Sequence, residues 1–345
     1  MKVWDANQDR AALSNPAGDN LLAVCELTVN FCSNHEPESQ VLKHVGFTIA
    51  NAEIVALLGE SGCGKTTTAL SLIQSLPPDA RITAGSIVFN GRSLLGLNEA
   101  RLREIRGSEI SIIYQDADVL NPVMRVGNQV MEVLRAHQSG KAVQMREDIC
   151  TLFMALGLED CDRIYHSFPH QLSGGQRRRV AVAQALICKP RLIIADEPTA
   201  WLDSETTAEI LAVFRHLRQV YGTAFLLISH DPDALMAADR VLVMYGGEIV
   251  ESGPRREIFE RPKHPYTTAL LECSKRTNTV TDCSFISRRL PCIPGHAPDP
   301  SEVLPGCAFS SRCGHRMDVC ESRHPDLHEV SQAHAVRCFQ YETTS

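Results

Sequence analysis

The sequence predicts an α/β fold built on buried parallel strands, and three apolar runs predict it. Residues 54–58, Ile-Val-Ala-Leu-Leu, feed a glycine-rich loop; residues 192–195, Leu-Ile-Ile-Ala, end in two adjacent carboxylates; residues 224–228, Ala-Phe-Leu-Leu-Ile, lead through Ser229 to His230. Short continuous apolar runs that stop at chemistry-bearing residues are what strands buried on both faces look like, with the functional groups at their carboxyl ends.

The first run enters Gly59-Glu60-Ser61-Gly62-Cys63-Gly64-Lys65-Thr66-Thr67. Without a Cβ at Gly59, Gly62 and Gly64 the backbone can curl so that its N–H groups converge on phosphate oxygens at the start of a helix, whose dipole also favours an anion. In such a loop Lys65 reaches the β- and γ-phosphates of a nucleotide and the Thr66 hydroxyl serves Mg²⁺. The bland alternative is a strand-to-helix turn with no ligand. The second run delivers Asp196 and Glu197, and a buried carboxylate needs a partner, which a Mg²⁺ ion with its waters supplies. Residues 112–114, Ile-Ile-Tyr, read as a further strand ending at Gln115, and residues 27–31 read as an edge strand ending at Phe31. Between about Met131 and His170 the apolar spacing is helical. Near the end of this region comes Leu172-Ser173-Gly174-Gly175-Gln176, followed by Arg177-Arg178-Arg179, expected as solvated or interface arginines on a helix. Residues 240–245 and 248–252 flank Gly246-Gly247, a two-residue hairpin signal.

The order of the phosphate loop, the Leu-Ser-Gly-Gly-Gln stretch, Asp196-Glu197 and His230 resembles the ATPase subunits of ABC transporters. That resemblance implies a P-loop ABC-type ATPase domain with a helical signature subdomain. Residues 1–20 would be a mobile lead-in, residues 21–255 the nucleotide-binding domain with its helical part at about 116–180, and residues 256–345 a small, irregular, Cys/Pro-rich C-terminal extension. It also implies roles. Lys65 and the loop residues Gly59, Ser61, Gly62, Cys63, Gly64, Thr66 and Thr67 bind ATP, and Thr66, Gln115 and Asp196 hold Mg²⁺. Glu197 polarises the attacking water, His230 contacts the γ-phosphate and Phe31 stacks on adenine. Ser173, Gly174, Gly175, Gln176 and Asp203 serve an ATP shared across a dimer. Trp201 departs from the small or polar residue usual at its place, so the packing against a partner subunit is in question there.

The tail narrows the resemblance. His264-Pro265-Tyr266-Thr267, the segment from Leu290 to Gly295 and the segment from Pro305 to Phe309 are similar to the C-terminal part of oligopeptide, dipeptide and nickel importer ATPases. The implied partners are two transmembrane permease subunits, a second ATPase subunit (paralogue or self) and, indirectly, an extracytoplasmic solute-binding protein. The implied place is the cytoplasmic face of the inner membrane, as a peripheral subunit. Two other readings stand beside this one: an ABC-type ATPase docked on a soluble enzyme complex such as a carbon–phosphorus lyase, and a regulatory nucleotide-binding module without turnover.

Cysteine usage poses a separate question. Of 13 cysteines, Cys307, Cys313, Cys320 and Cys338 fall in the tail. Four thiolates there would suit a [4Fe–4S] cluster, a structural Zn²⁺, or no metal; the lack of short CxxC pairs favours iron–sulfur, which the resemblance also implies for some members. Disulfides are not expected in a reducing compartment, and the other cysteines read as small apolar residues.

Composition excludes other classes. With 44% apolar and 22% charged residues the chain is ordinary for a globular protein. No apolar run approaches the roughly 18 residues of a spanning helix, and the first residues lack a signal-peptide plan. A net charge of −7 argues against general nucleic-acid binding.

Overall fold

The computed structural model describes residues 20–32, 38–115, 120–198, 204–229, 235–277, 293–302 and 304–342. Trp201, Asp203 and His230 lie outside the described residues, as does the start of the tail segment that begins at Leu290. The described chain divides into two compact units, one drawn from Met1–Leu22, Ile49–Glu53 and Val88–Leu227, the other from Ala23–Thr48, Ile54–Ile87 and Ile228–Ser345.

In the second of these units the predicted strand at Ile54–Leu58 (β3) is buried along its whole length. It pairs in parallel with β9 (Arg240–Tyr245), Leu57 opposite Leu242. The glycine pair then turns the chain back into β10 (Glu248–Pro254), with Gly246 at φ 56° and Gly247 at φ 88°. Positive φ at both central residues is the twist that a tight hairpin requires, which is why two glycines sit there. Beyond β10 the tail contributes two more strands, β11 (His328–Ser331) and β12 (His334–Val336), and β12 pairs with β10. The order is β11-β12-β10-β9-β3. A separate sheet places β1 (Asn20–Phe31) between β2 (Ser39–Ala50) and β4 (Ala80–Phe89). The edge strand expected at residues 27–31 is therefore a central one. At twelve residues, with Leu21, Leu22, Val24, Leu27 and Val29 buried, β1 has the length and the apolar content to be covered on both sides.

The other unit carries β6 (Ile110–Ile113), β7 (Leu192–Asp196) and β8 (Ala224–Ile228) in the order β8-β7-β6. Here β6 and β7 run parallel, with Ile112 opposite Ile194. Among the described residues four α-helices lie between β6 and β7 in sequence: α3 (Val126–His137), α4 (Ala142–Ala155), α5 (Cys161–His166) and α6 (Gly174–Leu186). One expectation is overturned here. Cys150 of α4 and Cys161 of α5 form a disulfide, their Cα atoms 5.4 Å apart. The short connection between the helices returns the chain so that the two side chains meet, a proximity that no spacing rule for apolar residues reveals.

Among the described residues no helix is long and apolar enough to cross a membrane.

Candidate functional site

The phosphate loop joins β3 to a helix at Lys65–Leu72 (α1). Gly62 and Gly64 both have positive φ, 82° and 108°. At Gly59 a Cβ would stand 2.4 Å from the Met244 carbonyl oxygen, so strand β9 leaves room there for backbone alone. No side chain caps α1 at Gly64, and its first turn carries no acidic residue. The helix N-terminus is thus presented to the loop with its positive end unopposed by a carboxylate from its own sequence. The Lys65 ammonium donates to the carbonyl oxygens of Gly59 and Glu60, each at 2.8 Å. Cys63 is buried, and that burial pushes its thiol pKa up. Phe31 ends β1 and is partly exposed.

In the other unit Asp196 closes β7 and Glu197 follows it, 4% and 6% exposed. Glu197 adopts φ 49°, a left-handed conformation that costs a non-glycine residue about 1–3 kcal/mol and marks a place the surroundings hold. The holding group is Arg178. It was expected to be solvated or at an interface, and it is 3% exposed. Its guanidinium donates to the carbonyls of Tyr114, Gln115 (2.9 Å), Pro198 (3.3 Å), Asp196 (3.4 Å) and Glu197. A planar fork of five donors suits such a cluster of acceptors. Arg179 likewise turns inward, to the carbonyls of Leu156 and Gly157 and to Glu209. The signal for Arg178 was present in the sequence, because residues 178, 181, 182 and 185 form a helical stripe whose other members are apolar.

The Leu-Ser-Gly-Gly-Gln stretch starts α6. Ser173 and Gln176 form a reciprocal capping box, the Gln176 N–H donating to Ser173 Oγ at 3.2 Å and the Ser173 N–H to Gln176 Oε1 at 3.1 Å. Gly174 and Gly175 do not need glycine for their own subunit: a Cβ on Gly175 would meet nothing within 4 Å, and one on Gly174 only Arg177 at 4.0 Å.

In the tail the four cysteines are neighbours. The Cys307 N–H donates to the Cys320 carbonyl at 2.9 Å. Burial, then the other three thiols, push the Cys307 pKa up to about 11, and burial raises Cys313 and Cys338 as well. Among the described residues, however, no group of three or more His, Cys, Asp or Glu side chains is arranged to hold a metal ion. The Cys307 thiol thus lies within electrostatic reach of the other three.

A buried strand, a glycine loop with its lysine and an uncapped helix start, together with a second strand ending in two carboxylates, define a P-loop nucleoside-triphosphatase. The ABC transporter family profile matches residues 42–200, and the profile of the oligopeptide/dipeptide transporter C-terminal region matches residues 250–320. The chain is 39% identical to a probable peptide ABC transporter ATP-binding protein of Sinorhizobium fredii, over 95% of this chain and 97% of that protein. It is 37% identical to the dipeptide transport ATP-binding protein of Bacillus subtilis (93% and 95% covered) and 37% identical to the oligopeptide transport ATP-binding protein of Escherichia coli (95% and 95%). Among solved structures it resembles a dimeric ATP-binding cassette bound to ADP and Pi, with a TM-score of 0.63 and 26% identity over 68% of this chain and 99% of that one. The chain belongs to the ABC transporter ATP-binding proteins that carry the oligopeptide/dipeptide transporter C-terminal region, and it is an ATPase.

Proposed function

We propose that this ATPase drives an importer of oligopeptides or dipeptides as a peripheral subunit on the inner face of the membrane. The observation that carries the reading is the joining, in one chain, of a complete phosphate loop to the oligopeptide/dipeptide-type tail at residues 250–320. In it Lys65 leaves the Gly59 and Glu60 carbonyls for the β- and γ-phosphates, and the N–H groups of residues 61–67 receive the remaining oxygens. Phe31 takes the adenine face. The Thr66 hydroxyl, Gln115 and the Asp196 carboxylate, hard oxygen donors, fit Mg²⁺, which when bound would neutralise charge on the phosphate oxygens. Glu197 polarises the water that attacks the γ-phosphorus as ADP leaves, and His230 contacts the γ-phosphate.

A second ATPase subunit offers Ser173, Gly174, Gly175 and Gln176, and Asp203 serves the same shared ATP. The open space at Gly174 and Gly175 supports this, since bare backbone there is of use to a close approach from outside the subunit. Two transmembrane permease subunits receive the resulting motion, and an extracytoplasmic solute-binding protein supplies the cargo. For the tail we propose that Cys307, Cys313, Cys320 and Cys338 take a [4Fe–4S] cluster. About four irons and four sulfides per chain after anaerobic purification would support it, whereas metal-free protein, or zinc alone, would discard it.

The transport reading is tested by reconstituting the chain with its permease and binding-protein partners in liposomes. Uptake of short peptides that needs ATP, and is lost with Lys65→Ala, is expected. Peptide-independent turnover with no uptake would refute it.

A further inference from the structure

Glu60, the second residue of the phosphate loop, is gripped from far along the chain. Its backbone N–H donates to the Tyr266 hydroxyl at 2.8 Å, and its carboxylate receives a two-pronged pair of bonds from Arg312 at 2.8 and 3.1 Å. Neither partner is an incidental surface group. The Arg312 side chain is 5% exposed, donates to the carbonyls of Pro294 (2.8 Å) and Ile293 (3.3 Å) and to the Tyr245 hydroxyl (3.3 Å), and lies over the rings of Tyr245 and Phe309. Tyr266 is fully buried, its ring 4.5 Å from that of Tyr245 and 5.4 Å from that of Phe309. Burial raises its hydroxyl pKa, so it stays un-ionised.

Tyr266 is itself placed by the start of its helix, α9 (Pro265–Thr277), the one that follows α8 (Arg255–Glu260). The buried Glu251 carboxylate accepts from the N–H groups of Lys263 and His264 at 2.7 and 2.9 Å and is engaged by His334 Nε2 at 2.8 Å. The chain of contacts ends at the lysine. The Gly59–Glu60 peptide unit has its N–H, that of Glu60, on the Tyr266 hydroxyl and its carbonyl, that of Gly59, on the Lys65 ammonium, so the tilt of that one peptide unit sets where the ammonium rests.

We propose that Arg312 and Tyr266 are positioning residues for ATP, through which the C-terminal extension sets the phosphate loop and cancels the Glu60 charge beside it. The proposal rests on the reading that this loop takes the ATP phosphates. An uncompensated carboxylate in the loop repels a triphosphate, and it repels it before any chemistry occurs. Removing Arg312 therefore weakens nucleotide binding more than it slows the step that follows, whereas removing both charges restores it. A merely structural role would give the opposite pattern, with each further substitution making matters worse.

The test uses the full chain and reads MgATP hydrolysis together with titration of a fluorescent methylanthraniloyl-ATP. Arg312→Met is expected to raise KM and the titrated Kd about tenfold, with kcat changed no more than about threefold. The double variant Glu60→Gln/Arg312→Met should return KM to within about twofold of the parent, and Arg312→Lys, which keeps charge but loses the two-pronged geometry, should fall between. Tyr266→Phe should raise KM severalfold with Glu60 unaltered. A parental KM for Arg312→Met overturns the proposal, as does a double variant no better than the single one. If Arg312→Met fails to fold, the double variant, which buries no unpaired charge, is compared with Arg312→Lys. A near-parental double variant beside a weakened lysine variant supports the clamp, and any other pattern overturns it. A parent chain that neither binds the probe nor turns over would instead refute the reading of the loop.

Discussion

Arg178 is the residue whose loss reaches furthest into the catalytic half-site. Its guanidinium serves five carbonyls, on Tyr114, Gln115, Asp196, Glu197 and Pro198. These lie on the two segments that leave β6 and β7. Changing Arg178→Met keeps much of the volume and removes every donor. Each hydrogen bond from a charged donor nets about 1.5–3 kcal/mol, but five on one group are not additive, so a total loss of about 3–5 kcal/mol is expected. At roughly 2–4 °C per kcal/mol for a body of this size, the melting temperature should fall by about 10 °C. Activity should suffer more than stability, because the backbones of Gln115 and Glu197 lose their common anchor. A displacement of about 1 Å at such groups can cost on the order of 100-fold in kcat. Arg178→Lys, with one ammonium in place of the fork, should recover part of the melting temperature and little of kcat. The assay is thermal unfolding beside ATP hydrolysis at saturating MgATP. A methionine variant that melts within about 2 °C of the parent and turns over within about twofold would refute the reasoning.

Three further outcomes are expected. Glu197→Gln should retain nucleotide binding and lose roughly 100- to 10,000-fold in hydrolysis; turnover within tenfold of the parent would remove Glu197 from its role. Reducing the Cys150–Cys161 disulfide, which closes a loop with a sequence separation of 11, should lower stability by about 2–3 kcal/mol, and Cys150→Ser/Cys161→Ser should be insensitive to reductant. Identical melting of the parent chain with and without reductant, under conditions where mass spectrometry shows the bond intact and then broken, would contradict this. Burial lowers the His264 pKa to about 4, while its Nδ1 accepts from the Tyr266 N–H at 3.1 Å. The unfolded chain then binds a proton that the folded chain refuses between about pH 6.5 and 4. The neutral ring's contribution is complete above that window and declines as pH falls through it, by roughly 3 kcal/mol in all. His264→Gln should flatten that decline, and an unchanged slope of melting temperature against pH would disprove the assignment.

Some of this was legible in the chain because the physics is local. Residues 54–58, 192–195 and 224–228 read as buried strands, since each is an apolar run too short for a typical helix, and each is fully buried. Gly246-Gly247 prescribed a hairpin because few residues tolerate two successive positive φ angles. The cap on α6 was likewise written in the Ser173–Gln176 spacing. Other features were not legible, because they depend on which distant backbone lies opposite. The edge strand expected at residues 27–31 proved central, since periodicity reports which faces are buried and not how many neighbours pair along the sides. The stripe of residues 178, 181, 182 and 185 marks the side of the helix on which Arg178 is buried, but the five carbonyl oxygens that the fold sets around its guanidinium are a cluster that no linear spacing encodes.

What the sequence by itself determined is the chemistry: a phosphate-binding loop with Lys65, two carboxylates at a strand end, a glycine-bearing helix start and a cysteine-rich tail. Local residue order specifies these because turns, caps and strand burial are short-range. Only the tertiary structure decided how they are held. It seats Tyr266 and Arg312 on Glu60 across 206 and 252 residues of chain, turns Arg178 inward, and joins Cys150 to Cys161. These contacts pair groups far apart in sequence whose partners are backbone atoms or single side chains, and their geometry exists only once the strands have packed.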